Sequence, residues 1–285
     1  MPEKGVLYLV ATPIGNLEDI SSRALKVLRE VDLIAAEDTR QTIKLLNHFD
    51  IKTPMTSYHE HNKNQKGDYI LERLEQGESV AVVTDAGTPG ISDPGEDIVK
   101  AAVERGITVT AIPGPVAAIS ALIVSGLSTG RFVFEGFLPK KNKEKEECII
   151  ALKEEPRTIV LYESPHKLKS TLLLLRKYLG NRKIAVAREM TKKFEEIMRG
   201  TLDSVIETYE SRDPKGEYVL VIEGACEKTL KAETNRKWDE VDILEHMSIY
   251  TGEGLTKKEA IKKVAADRGI SKREVYAMLI KDKED

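Results

Sequence analysis

Cysteine is nearly absent: the chain of 285 residues has two, Cys148 and Cys226. Two thiols so far apart cannot build a disulfide framework or a thiolate metal site, so a reducing compartment, the cytoplasm, is the expectation. Long hydrophobic runs are missing too. Stretches such as Val6 to Ala11 and Thr158 to Leu161 are far shorter than the roughly 20 apolar residues a membrane-spanning helix needs. The opening MPEKGVLYLVATP lacks an apolar region followed by a small-residue cleavage site, and no membrane partner is expected. Neither sign of charge dominates, since 44 Lys and Arg against 47 Asp and Glu leave a formal net charge of -3. That excludes a protein working as one large polycation, although a local basic face remains open. Finally, no GxGxxG follows the first apolar run and no GxxxxGK[ST] occurs, which removes most support for a dinucleotide dehydrogenase or a P-loop enzyme.

What the chain does have is alternation. Short apolar runs at Gly5 to Ala11, Val31 to Ala36, Ser79 to Thr84 and Ile107 to Ile112 are separated by stretches with helical spacing, such as Ala24, Val27, Leu28 and Val31. Continuous apolar strands between helices predict a parallel sheet covered on both faces, hence a doubly wound α/β domain over 1–128. A second α/β domain, 129–226, alternates at first and then changes rhythm, with strand-like Phe194 to Arg199 and Glu217 to Glu223 around a single short helix; a mixed sheet is expected there. A helical module follows over 235–285. In it Thr256 precedes Glu259, and Ser271 precedes Glu274, at the capping-box spacing, which outlines a small helix-turn-helix unit.

Immediately after the four predicted strands of the first domain come Thr12 to Asn16, Glu37 to Arg40, Thr84 to Gly90 and Pro113 to Pro115. Ligands of open parallel sheets bind outside the carboxyl ends of the strands, so these turns ring one crevice. Loops with Gly and Pro but no Lys suit a ligand held by backbone groups, and Asp85 favours a positively charged ligand group.

The segments LVATPIGNLEDIS, AAEDTR, SYHEHN, TDAGTPGISDPG, IPGP, EGFLPKK, YESPHKL and GEYVLVIEG occur in this order. With that order and spacing, the chain resembles the bacterial enzymes that 2'-O-methylate a cytidine ribose in 16S ribosomal RNA, a branch of the tetrapyrrole-methylase superfamily. The resemblance implies two α/β domains with S-adenosylmethionine in the cleft between them, usually in a homodimer, and an RNA substrate in the small ribosomal subunit. By motif, Pro13, the loop Asp85, Ala86, Gly87, Thr88 and Pro89, and Ile91, Ser92 and Asp93 would line the cofactor site from the first domain. Ala117 and Ala118, Tyr162 and Glu163, Ala187 and Arg188, and Gly216, Glu217 and Tyr218 would close it. Porphyrin enzymes of the superfamily carry a GxGPG-like first loop and a GGDP-like third loop, whereas this chain has ATPIGN and DAGTP, which favours the RNA branch.

Methyl transfer to a hydroxyl needs alignment and a positioned base. Glu37, Asp38, His59, Glu60 and His61 are the candidates beside the crevice, with Asp38 or Glu37 the expected acceptor and Arg40 and Arg188 as holders of phosphate or carboxylate. His59 and His61 alone make a poor zinc signal, so no metal is expected and both are assigned to RNA. Lys140 and Lys141 open a charged helix that is either an RNA contact or a self-paired surface. Lys257, Lys258, Lys272 and Arg273 belong to a basic helical pair suited to phosphate. Two alternatives stay open: a superfamily methylase acting on a porphyrin or a protein side chain, and a non-catalytic RNA-binding protein.

Overall fold

The computed structural model describes residues 4–226, Trp238 and 241–281. The expected limits of the helical module at 235 and 285 lie outside these residues. The chain divides into two compact units, one of residues up to Ile150 with Thr158–Glu223, the other of Ala151–Arg157 with the chain from Gly224 onward.

The first unit contains two five-stranded sheets. In the first, β1 (Val6–Val10), β2 (Leu33–Ala36), β3 (Met55–Ser57), β4 (Val80–Val83) and β5 (Thr108–Ile112) lie in the order β3-β2-β4-β1-β5, all parallel. The period-2 alternation of a strand explains its two cores. Leu33, Ala35, Val80 and Val82 face Ile70, Leu71, Leu74 and Ile98 of α3 (Lys63–Glu75) and α4 (Glu96–Glu104). Ile34, Ala36, Ala81 and Val83 face Ala24, Leu28 and Leu46 of α1 (Ser22–Glu30) and α2 (Thr39–His48). Every residue of β2 and β4 is buried, as a strand covered on both faces requires. The doubly wound expectation holds. The short β3 has no apolar run to announce it; it exists because Met55 and Ser57 pair with Ile34 and Ala36.

In the second sheet, β6 (Phe132–Phe137), β7 (Thr158–Glu163), β8 (Lys183–Arg188), β9 (Glu196–Thr201) and β10 (Tyr218–Ile222) lie in the order β6-β7-β10-β8-β9. Only β6 and β7 are parallel, so the sheet is mixed. The strand expected at Phe194 to Arg199 is β9, displaced toward Thr201, because Phe194 sits exposed in the preceding turn while Thr201 pairs with Lys183. Helix α5 (Ala117–Val124), which precedes the expected boundary at 128, packs Ala118, Ala121 and Leu122 on Val160, Ala185 and Val219 of this second sheet. The unit also contains α6 (Asn142–Ala151), α7 (Pro165–Leu179) and α8 (Leu202–Glu210). Helix α6 is self-paired only in part. Lys141 meets Glu144 at 2.8 Å, but Lys145 turns inward and is buried against Thr171 of α7 at 2.5 Å.

In the second unit, α9 (Ile243–Gly252), α10 (Lys257–Arg268) and α11 (Lys272–Lys281) close over Met247, Ala260, Ile261, Val264, Val275 and Leu279. Both expected capping boxes form: Thr256 N–H donates to Glu259 at 2.9 Å and Ser271 N–H to Glu274 at 2.7 Å. Gly269 ends α10 in the left-handed region at φ 64°, the usual glycine stop. Trp238 stacks on His246 with ring centroids 3.6 Å apart. No helix of the described residues is long and apolar enough to cross a membrane.

Candidate functional site: a carboxylate-walled cleft between two sheets

The carboxyl ends of the first sheet and one end of the second meet around a cavity of about 500 Å³, a size typical of clefts for nucleotide-sized ligands. On the first side the loops after β1 and β4 are zipped together: Thr12 N–H donates to Gly87 O at 2.8 Å and Gly87 N–H to Thr12 O at 3.1 Å. Gly87 at φ 87° is what lets the second loop turn back. The Thr88 hydroxyl then reaches the carbonyl of Pro115 at 3.3 Å, joining the loop after β5.

On the second side the ends of β6, β7 and β8 reach the cleft. Because β10 runs antiparallel to β7 and β8, its start reaches the cleft instead of its end. Tyr162 closes β7, and its phenolic oxygen accepts the N–H of Ala118 at the start of α5 at 3.2 Å. Burial pushes the Tyr162 hydroxyl above its ordinary value. Glu163 is buried, accepting Ser164 N–H at 2.8 Å and the Thr171 hydroxyl at 2.5 Å, with the Lys145 ammonium 3.5 Å away.

Most of the expected residues are brought together. Asp85, Ala86, Gly87, Thr88, Ile91, Ser92 and Asp93 line the cavity from the first side, and Ala117, Tyr162, Glu163, Glu217 and Tyr218 from the second. Pro13, Pro89, Ala118, Ala187, Arg188 and Gly216 are not among its lining residues, although each adjoins one or pairs with one. Ala187 packs with Met190 and Val219, and Arg188 donates to the Lys215 carbonyl at 2.6 Å. Gly216 leaves room for Glu189, whose side chain a Cβ there would meet at 2.5 Å.

Of the expected catalytic residues, Glu37 lines the cavity and Asp38 and Arg40 do not. Glu37 Oε2 accepts the Thr84 hydroxyl at 2.5 Å and Asp85 N–H at 3.3 Å. Asp38 caps α2 through Arg40 N–H at 2.8 Å and is gripped by the Arg40 side chain. The hydrogen bonds from Arg40 hold its carboxyl down at about 2, which makes it a poor proton acceptor near neutral pH. Burial, then the charge of Glu37, raises Asp85 above the usual carboxylate range. The same two causes push Asp93 up to about 6.

Elsewhere, His59 follows β3 at the edge of the sheet next to β2 and meets His61 with ring centroids 6.1 Å apart. Lys140, Lys141, Lys257, Lys258, Lys272 and Arg273 are exposed. No three His, Cys, Asp or Glu side chains gather as a metal site would require among the described residues.

Ile14 and Thr84 line the cavity from turns the sequence placed around the crevice without giving these two a role, and Val116, Phe137, Ser164, Pro165, Met190, Lys192 and Val219, which also line it, were missed. Met190 and Lys192 directly follow β8, so the strand-end rule applied to the second domain would have found them. Lys192 is the one cation among the lining residues, and it is paired at 3.0 Å with both Glu189 and Glu217.

Residues 6–206 match the tetrapyrrole (corrin/porphyrin) methylase family. The chain is 49% identical over 274 residues to the ribosomal RNA small subunit methyltransferase I of Halalkalibacterium halodurans, covering 96% of this chain and 94% of the relative. The protein of the same name from Bacillus subtilis matches to the same extent, 49% over 96% and 94% of the two chains. Among solved structures, the Thermus thermophilus uroporphyrin-III C-methyltransferase complexed with S-adenyl homocysteine superposes with a TM-score of 0.55 at 17% identity, over 76% of this chain and 97% of that one. That likeness shows the shared fold. The chain therefore belongs to the tetrapyrrole (corrin/porphyrin) methylase family, and within it to the group of ribosomal RNA small subunit methyltransferases I.

Proposed function

We propose that this chain transfers the methyl group of S-adenosylmethionine to the ribose 2'-hydroxyl of a cytidine in 16S ribosomal RNA, within the small subunit in the cytoplasm and as a homodimer. The observation that carries the reading is the cleft of about 500 Å³ walled by Glu37, Asp85, Asp93, Glu163 and Glu217, in a chain so similar to named ribosomal RNA methyltransferases. The residues present suit the cofactor. Carboxylates favour a cationic sulfonium, and Ile14, Val116, Met190 and Val219 offer an apolar surface for an adenine ring. The bound cofactor supplies an activated methyl on a good leaving group.

Asp85 to Thr88, Ile91 and Ser92 would hold that cofactor from the first sheet, with Asp93 lining the cleft beside them, although its motif suggested a cofactor contact; Ala117, Tyr162, Glu163, Glu217 and Tyr218 would hold it from the second. Pro13, Pro89, Ala118, Ala187, Arg188 and Gly216 back these residues. The acceptor of the hydroxyl proton is one of the carboxylates of the wall, to which Glu37 belongs and Asp38 does not; Asp38 serves by presenting Arg40, whose side chain is 87% exposed, to an RNA phosphate. His59 and His61 border the route by which RNA reaches the cleft. Lys140 and Lys141, and the exposed Lys257, Lys258, Lys272 and Arg273 of the 235–285 module, contact the RNA backbone. Exposed Ile119 and Ile123, one turn apart on α5, support self-association, which sedimentation of the purified chain would measure.

The test is incubation with methyl-labelled S-adenosylmethionine and small subunits from cells lacking the gene, followed by nucleoside mass spectrometry. A labelled 2'-O-methylcytidine is expected. Unlabelled RNA alongside bound cofactor would overturn the reading.

A further inference from the structure

The loop from Gly87 to Gly95 is a contorted stretch of the cleft. Gly87, Gly90 and Gly95 have φ of 87°, 82° and 154°, and Ser92, which carries a Cβ, sits at 65°. A non-glycine residue persists in that region only where its surroundings impose it, and such residues gather at functional sites. Here the surroundings are identifiable. Pairing of β6 with β7 slips between Phe134 and Gly136, and Gly136 itself has φ 61°. A Cβ on Gly136 would lie 3.0 Å from the Ser92 hydroxyl, so the bare glycine makes room for Ser92. On the other flank a Cβ on Gly95 would lie 2.9 Å from Gly90 N. The residue set between these two constraints, lining the cavity, is Asp93.

The other carboxylates of the wall are already engaged. Glu37 accepts the Thr84 hydroxyl and Asp85 N–H, Asp85 accepts Asp38 N–H at 3.1 Å, Glu163 is bound by Ser164 and Thr171, and Glu217 pairs with Lys192. Among the described residues Asp93 accepts no backbone N–H and pairs with no cation; it shares the hydroxyl of Thr84 with Glu37. The charged groups that face it are the carboxylates of Glu37 after β2, Asp85 after β4 and Glu217 before β10, the last of them paired with Lys192 at 3.0 Å, with the Tyr162 hydroxyl across the cleft. An arriving proton therefore relieves repulsion at Asp93, while the carboxylate stays largely ionised at neutral pH, as a general base requires.

We propose that Asp93 is the group that accepts the proton of the hydroxyl being methylated. The assignment rests on the function proposed above and deepens it. A lone pair of the hydroxyl oxygen forms the bond to the methyl carbon, and the carbon–sulfur bond breaks with its electron pair going to sulfur, which becomes neutral. The hydroxyl proton passes to the Asp93 carboxylate, whose charge it cancels, and leaves later to solvent.

The experiment uses the full chain, its Asp93→Asn variant and Asp93→Glu. Binding of S-adenosylmethionine is followed by calorimetry, single-turnover methylation of small subunits from pH 5 to 9, and the Asp93 carboxyl carbon of the free protein by 13C NMR. Expected are cofactor affinity within about threefold of the parent for Asp93→Asn, a transfer rate lowered at least a hundredfold, and partial recovery with Asp93→Glu. The parent's rate should fall below pH 6 together with the NMR midpoint of Asp93. Unchanged transfer in Asp93→Asn with the acid limb intact would overturn the assignment, as would a drop in cofactor binding in step with rate. A parent that binds cofactor but methylates no RNA would defeat the functional reading instead, a failure visible without any variant.

Discussion

The Asp38 carboxylate grips the Arg40 side chain through both oxygens, Nε to Oδ1 at 3.0 Å and Nη2 to Oδ2 at 2.6 Å, while also receiving the Arg40 backbone N–H at 2.8 Å. One acidic side chain thus starts a helix and aims a guanidinium beside the cleft.

Asp38→Asn should accordingly leave Arg40 unanchored. The expected result is weaker RNA binding with cofactor affinity unchanged, measured by filter binding and calorimetry. Because the carboxyl is held at about 2 in the folded chain, below its ordinary 3.8, the contribution of Asp38 to stability is present above the unfolded value and lost as pH falls toward 2. Acid unfolding of the parent should show that decline and the Asn variant should lack it.

Lys145 and Glu163 form a buried pair whose side chains are 6% and 4% exposed. Removing one partner leaves an uncompensated buried charge, at about 3–5 kcal/mol. Lys145→Met should therefore lower the urea midpoint strongly, and it should weaken cofactor binding because Glu163 lines the cleft. Adding Glu163→Leu should recover much of the stability without restoring cofactor affinity.

His246 is fully buried, with its Nδ1 accepting from Arg268 Nε at 3.2 Å and its Nε2 3.3 Å from Asp267. Burial, then the Arg268 charge, lowers its proton affinity. Its folded value lies below the unfolded 6.5, so the unfolded state takes up protons first and stability falls as pH drops through that value. Thermal melts between pH 8 and 5 should show this, and His246→Phe should flatten the dependence.

Replacing Lys257, Lys258, Lys272 and Arg273 by Ala should weaken RNA binding and lower the magnitude of the log–log salt slope by about 0.7–1 for each phosphate no longer neutralised. Cofactor titration should not change. An unaltered slope would mean that these exposed cations do not touch phosphate.

The loops after β1, β2, β4 and β5 were legible because a parallel sheet places its ligand at the carboxyl ends of its strands, and the chain marks those ends with Gly, Pro and acidic residues. Asp85 was legible in that way, whereas Asp93 lies beyond that turn and was named only by the family resemblance. Lys145 was not, since nothing local separates the inward residue of a charged helix from its outward neighbours. Asp38 and Glu37 looked equivalent as adjacent carboxylates; only the turn of the chain gives one to Arg40 and the other to Thr84.

Apolar runs and their spacing determined by themselves the two α/β folds, the capped helices of the tail and the loops of the first sheet, because each depends on the period of a strand or helix or on residues three apart. Tertiary structure alone decided which carboxylates of the cleft wall meet a cation or a backbone N–H and which do not. Strand β10 enters antiparallel, β6 bulges at Gly136, and Ser92 is pressed into a strained conformation; these events join residues far apart in the chain. Proton affinity follows burial and neighbouring charge, and both exist only once the sheets have met.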